Sequence, residues 1–87
     1  MSYKLNIVKS AFKQLSKLPT DYQEKIKIKI DALADTPRPH GCEKLSGRKN
    51  DYRIRIGIYR VVYSIFDKEL LIEIIDIDHR KQIYRNL

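Results

Sequence analysis

The sequence predicts an α+β domain: an N-terminal strand, an antiparallel helix hairpin packed on one face of a mostly antiparallel four-stranded sheet, and a short C-terminal helix or tail. Three observations predict it. Apolar residues recur at helical spacing in two runs between Ala11 and Leu33, split by Pro19. From Tyr52 to Ile77 they alternate or run on, with reversals at Gly57 and at Asp67-Lys68-Glu69. A first alternating run, residues 3–8, precedes the helices. Strands and helices that segregate along the chain in this way build a sheet with its helices on one side.

In the first run Tyr3, Leu5 and Ile7 alternate with Lys4, Asn6 and Val8, a short strand. Ser10 is placed to cap a helix whose apolar residues are Ala11, Phe12, Leu15 and Leu18, with Lys13, Gln14 and Lys17 on its wet side. Thr20 with Gln23 three residues on reads as a capping box for a second helix. Tyr22, Ile26, Ile30 and Leu33 follow on one face of it. Ile28 falls off that stripe and predicts cover on a second side. The very short link makes the two helices an antiparallel hairpin. Residues 36–50 carry Thr36, Pro37, Pro39, Gly41, Gly47 and Asn50, a loop composition, with a short turn over Cys42–Leu45. Lys44, Arg48 and Lys49 make this loop basic, which suits a solvated connector and a nucleic-acid contact alike.

The stretch Asp51–Tyr63 is two strands of a hairpin. Tyr52, Ile54 and Ile56 alternate with Arg53 and Arg55, so one face is apolar and the other carries two guanidinium groups about 7 Å apart. Gly57 permits a tight reversal, and Arg60 returns near the hairpin end. Leu70–Ile77 is nearly continuous apolar, as in a central or doubly covered strand. The first strand is expected to pair with these later hairpins across the helices. Residues 78–87 form a final helical turn or a short tail. There is no repeat or linker, which makes residues 1–87 one domain.

Lys and Arg total 18 against 11 Asp and Glu, a net charge of +7 that points to a polyanionic partner: RNA, DNA or an acidic protein. A soluble basic domain with no such partner has the same balance. The lone Cys42 forms no internal disulfide, which suits a reducing cytosol. Its nearness to His40 is weak ground for a nucleophile pair, and no Cys/His spacing suggests a metal. No apolar run reads as a signal peptide or is long enough to span a bilayer.

With helices on one face of the sheet, the other face displays Arg53, Arg55 and Arg60. Three unpaired guanidiniums repel one another and call for an anion, and a planar guanidinium matches phosphate oxygens in pairs. The alternative is local pairing with Asp51, Glu73 or Asp76. The tail adds His79, Arg80 and Tyr84, which chain order allows to return beside the arginine face. Histidine titrates near neutral pH, and tyrosine stacks on bases or supplies its hydroxyl.

The run Tyr52-Arg-Ile-Arg-Ile-Gly-x-Tyr-Arg-Val-Val-Tyr63, then Asp67-Lys68, then His79-Arg-x-x-x-Tyr84, resembles the RelE/ParE toxin superfamily of bacteria and archaea. Lys44-Leu-x-Gly47 and the strand followed by a helix pair extend the resemblance over essentially the whole chain. It implies the toxin of a type II toxin–antitoxin system: a ribosome-dependent endoribonuclease that cuts mRNA in the decoding site and is neutralised by a RelB-like antitoxin. Neither cofactor nor metal is implied. Arg53 and Arg55 match strand lysines of well-studied members, Arg60 an arginine on the next strand, Arg80 the arginine after the last strand, and Tyr84 the C-terminal tyrosine at shortened spacing. The resemblance assigns catalysis to Arg60, Arg80 and Tyr84, and its proton chemistry adds His79. Phosphate or RNA contacts then fall to Arg53, Arg55, Lys44, Arg48, Lys49 and Lys81. Arginine does not give up its proton in a protein, so Arg53 and Arg55 clamp phosphate but are poor general bases. Proton transfer then passes to His79, Tyr84 or Lys81, or to ribosomal RNA. Two alternatives share the resemblance: a ParE-like inhibitor of DNA gyrase, and an RNA-binding module that does not cut. The antitoxin is expected to be acidic where it meets this face.

Overall fold

The computed structural model describes residues 2–79, which form two helices and a five-stranded sheet. In chain order the elements are β1 (Lys4–Ile7), α1 (Lys9–Ser16), α2 (Thr20–Leu33), β2 (Glu43–Lys44), β3 (Asp51–Ile56), β4 (Tyr59–Phe66) and β5 (Leu71–His79). The sheet order is β1-β5-β4-β3-β2, antiparallel except where β1 lies parallel to β5. The helices cover one face. Ala11 and Leu15 of α1 and Ile26, Ile30 and Leu33 of α2 meet Ile54, Ile56, Val61, Tyr63, Ile65, Ile72, Ile74 and Ile77 in one buried core.

The expected α+β arrangement is present, with one strand more than the expected four. The extra strand is β2, where the sequence suggested only a turn. Glu43 lies directly opposite Arg53 and Lys44 opposite Tyr52. Opposite charges facing each other across two strands stabilise the pairing. A two-residue charged edge also blunts the sheet against further association.

Both expected helix caps are replaced. The residue ahead of α1 is Val8, whose backbone is extended and whose N–H donates to the Ile74 carbonyl at 3.0 Å. That bond to β5 anchors the chain, so the helix begins at Lys9, ahead of Ser10. The residue ahead of α2 is Pro19, and Gln23 donates to the carbonyls of Ser16 (3.2 Å) and Leu18 (2.8 Å). The end of α1 leaves carbonyls unsatisfied within reach of the next helix, and Gln23 takes them. Phe12 is 58% exposed and Ile28 68%, so neither carries the cover expected of it. Phe12 is turned about 100° from Ala11, off the buried stripe.

The interior strand buried at nearly every position is β4, not β5. Tyr59, Val61, Tyr63 and Ile65 join the helix-side core, whereas Arg60, Val62 and Ser64 are buried on the opposite face. The β3–β4 hairpin closes through Gly57 and Ile58, with Gly57 at φ +60. A Cβ at Gly57 would lie 2.9 Å from the Tyr22 ring, so glycine serves both the turn and the approach of α2.

One surface network ties the loop after α2 to the sheet. Arg38 pairs with Asp67 at 2.9 Å and donates to the Tyr52 hydroxyl at 3.1 Å, while the Tyr3 hydroxyl donates to Asp67 at 2.6 Å. These donors, Arg38 first, hold the Asp67 carboxyl below the usual carboxylate range. A depressed carboxylate contributes stability that is present above its unfolded pKa, about 3.9, and is lost as pH falls through the lower folded value. Asp67→Asn is therefore expected to melt slightly below the parent at neutral pH. The gap should close as pH falls below the ordinary carboxylate value, which melting curves from neutral into the acid range would show. The effect is small because the pair is solvent-exposed.

Candidate nucleic-acid interface

On β3, Ile54 and Ile56 turn to the core, so alternation sends Arg53 and Arg55 to the opposite face. Directly paired residues share a face, and the register builds three rows there. One runs Glu43, Arg53, Val62, Asp76. A second runs Arg55, Arg60, Asp78. The third runs Asp51, Ser64, Glu73, Asn6. In the third row the Ser64 hydroxyl donates to Asp51 at 2.5 Å and the Asn6 amide to Glu73 at 3.0 Å, so these polar groups satisfy one another.

Arg53 and Arg55 do not stand unpaired. Arg53 Nη2 lies 3.0 Å from Glu43 Oε2, and Arg55 Nη2 lies 3.1 Å from Glu43 Oε1. The partner is none of Asp51, Glu73 and Asp76, because β2 brings in an acid from outside the hairpin. Two guanidiniums share one carboxylate, so the pair keeps a net positive charge. The hydrogen bond from Arg53 is the main influence that holds the Glu43 carboxyl low, followed by the Arg53 charge, with Arg55 and Arg60 adding to it. Arg53 Nε is buried and has no hydrogen-bond acceptor among the described residues.

Two further expectations are corrected. Arg60 is not displayed: it is 1% exposed, on the central strand between Arg55 and Asp78. His79 does not join the arginines. Strand β5 continues through His79, where the sequence suggested a tail, and alternation from Ile77 puts Asp78 in the arginine row instead. His79 falls in the row of Ile56 and Tyr59, its ring edge-on to Tyr59 at 5.9 Å.

Of the basic loop, Lys44 and Arg48 line a cleft of about 280 Å³ with Leu45, Ser46 and Arg53. Arg48 also pairs with Asp51 at 2.9 Å. Lys49 lines a shallower hollow with Lys44 and Arg48. Arg80, Lys81 and Tyr84 lie outside the described residues, as does the expected C-terminal helix or tail. Glu43 and Arg38 are the residues that sequence reasoning missed. Glu43 sits between Cys42 and Lys44 in a run too short to give a periodic signal, and a loop arginine gives none at all.

Among the described residues, no helix is long and apolar enough to cross a membrane. A sequence profile of the ParE toxin of type II toxin–antitoxin systems, parDE, matches residues 5–84. The chain is 33% identical to toxin RelE1 of Methanocaldococcus jannaschii over 89 residues, covering 99% of each. It is 29% identical to the mRNA interferase toxin RelE of Escherichia coli K12 over 84 residues, covering 94% of this chain and 87% of that one. Its fold superposes on the archaeal RelE of the RelE–RelB complex from Pyrococcus horikoshii with a TM-score of 0.82 and 33% identity, covering 92% of this chain and 97% of that one.

Proposed function

Because the chain belongs to the ParE toxin family of type II toxin–antitoxin systems, we propose that it is the toxin of such a pair and acts by endonucleolytic cleavage of mRNA in the ribosomal decoding site. The observation that carries this reading is the Arg53–Arg55 pair on the sheet face away from the helices, with the basic cleft of Lys44 and Arg48 beside it. Such a surface suits a ribonucleotide backbone, which presents a phosphate at every step.

The chemistry proposed uses the substrate's own 2′-hydroxyl. It loses its proton and attacks the adjacent phosphorus, the bond to the 5′-oxygen breaks, and that oxygen takes a proton. The products are a 2′,3′-cyclic phosphate and a free 5′-hydroxyl, and no metal is required. The protein's part is alignment and stabilisation of the charge that builds on the phosphoryl oxygens. Arg53 and Arg55 hold phosphates flanking the scissile one. Arg80 and Tyr84 keep the roles that the sequence resemblance implies, at the scissile phosphate and at the base or 2′-hydroxyl. Arg60, buried between Arg55 and Asp78 in the same row, adds its positive charge to the site. The partner is an acidic RelB-like antitoxin, as in the RelE–RelB complex, and the lone thiol fits a reducing cytosol.

The family profile carries the name of ParE, which keeps gyrase inhibition as the second reading. Fold does not separate the two. Primer extension on mRNA from translating ribosomes, run beside a gyrase supercoiling assay, does. Discrete cleavage within codons with supercoiling intact is the expected result. Intact mRNA with blocked supercoiling would replace the nuclease by the gyrase inhibitor.

A further inference from the structure

On the functional reading above, we propose that Glu43 is an internal substitute for a substrate phosphate: its carboxylate holds the Arg53 and Arg55 guanidiniums side by side and is displaced when an RNA phosphate enters. The two oxygens of one carboxylate each take one guanidinium, at 3.0 Å and 3.1 Å. Two oxygens of a phosphodiester offer the same bridge. Glu43 is open to solvent, with 42% of its side chain exposed, between Arg53 at 18% and Arg55 at 55%. It sits on a two-residue edge strand. Swinging its side chain outward therefore disturbs no core contact.

A purely structural ion pair would leave two features unexplained. Arg53 Nε is a buried donor with no acceptor among the described residues, so one hydrogen bond of the fork remains to be made. The cleft of about 280 Å³ that Arg53 lines with Lys44 and Arg48 gives an incoming anion room beside it. A phosphate that replaces the carboxylate gains the same two guanidiniums and can reach this further donor. Glu43 thus sets the arginines in a binding geometry and lowers affinity for weak or non-specific anions. It is a positioning and specificity residue, not a catalytic one.

The test is the affinity of the full chain for a short single-stranded RNA across a salt series, in the parent, Glu43→Gln and Glu43→Asp. Removing one negative charge from beside the phosphate is expected to tighten binding by Glu43→Gln about tenfold at low salt. It should also steepen the slope of log affinity against log salt by about 0.7, one extra released counterion. Glu43→Asp keeps the charge and should bind like the parent. The gain should vanish when Arg53 and Arg55 are both alanine. Should Glu43→Gln fold poorly, Glu43→Thr removes the charge while suiting an edge strand, and the same gain is expected. Equal or weaker RNA binding by the neutral variants, with an unaltered salt slope, would overturn the proposal while leaving the RNA-cleaving reading in place. A parent that binds no RNA in any salt would overturn the proposal as well, while the RNA-cleaving reading falls only if primer extension with translating ribosomes shows intact mRNA.

Discussion

Replacing Arg53 and Arg55 together with alanine is expected to reduce mRNA cleavage by a hundredfold or more while the protein stays folded. Each guanidinium makes a charge-assisted contact to phosphate, and such contacts contribute about 1.5–3 kcal/mol apiece. Two of them amount to about 3–6 kcal/mol, or roughly a hundredfold to ten-thousandfold. The fold tolerates the change because Arg55 is more than half exposed and neither side chain belongs to the core. Glu43 loses both partners, but at 42% exposure it is solvated by water and not stranded. Cleavage rates from primer extension with translating ribosomes, with a melting curve as the control for folding, check this. A double variant that cuts at the parental rate would remove these arginines from the substrate path.

Replacing Ile74 with alanine is expected to destabilise the fold by about 2–5 kcal/mol. Ile74 is fully buried, lies opposite Ile7 on one side and Tyr63 on the other, and its carbonyl accepts from the Val8 N–H. It therefore stands where the parallel β1–β5 pair, the antiparallel β4–β5 pair and the start of α1 meet. Truncation removes apolar contacts to all three, and a β-sheet backbone cannot collapse to fill the gap. Small domains have about 5–15 kcal/mol of stability in total, so this one change removes a large share of it. Urea unfolding should show a lower midpoint with the slope unchanged. A loss under about 1 kcal/mol would mean that the three elements do not share this contact.

The sequence by itself determined the fold class, and it determined the hairpin most sharply. Alternation at Tyr52, Ile54 and Ile56 against Arg53 and Arg55 is a period-two pattern, and period two leaves only one choice of face. The stripe Ile26, Ile30, Leu33 was equally legible, because helical spacing brings those positions together with no help from elsewhere in the chain. What the tertiary structure alone decided are contacts between residues with no periodic relation. Glu43 reaches Arg53 from a strand two residues long, too short for any pattern to announce. Arg38 finds Asp67 and Tyr52 from a loop. Arg60 falls between Arg55 and Asp78 because β4 ends up in the middle of the sheet, a position set by strand order and not by the residue's neighbours in sequence. His79 changes face because β5 runs two residues further than its apolar run, to His79, and each added residue reverses the side. Local periodicity fixes which way a side chain points, but which partner waits there depends on how distant segments are laid edge to edge.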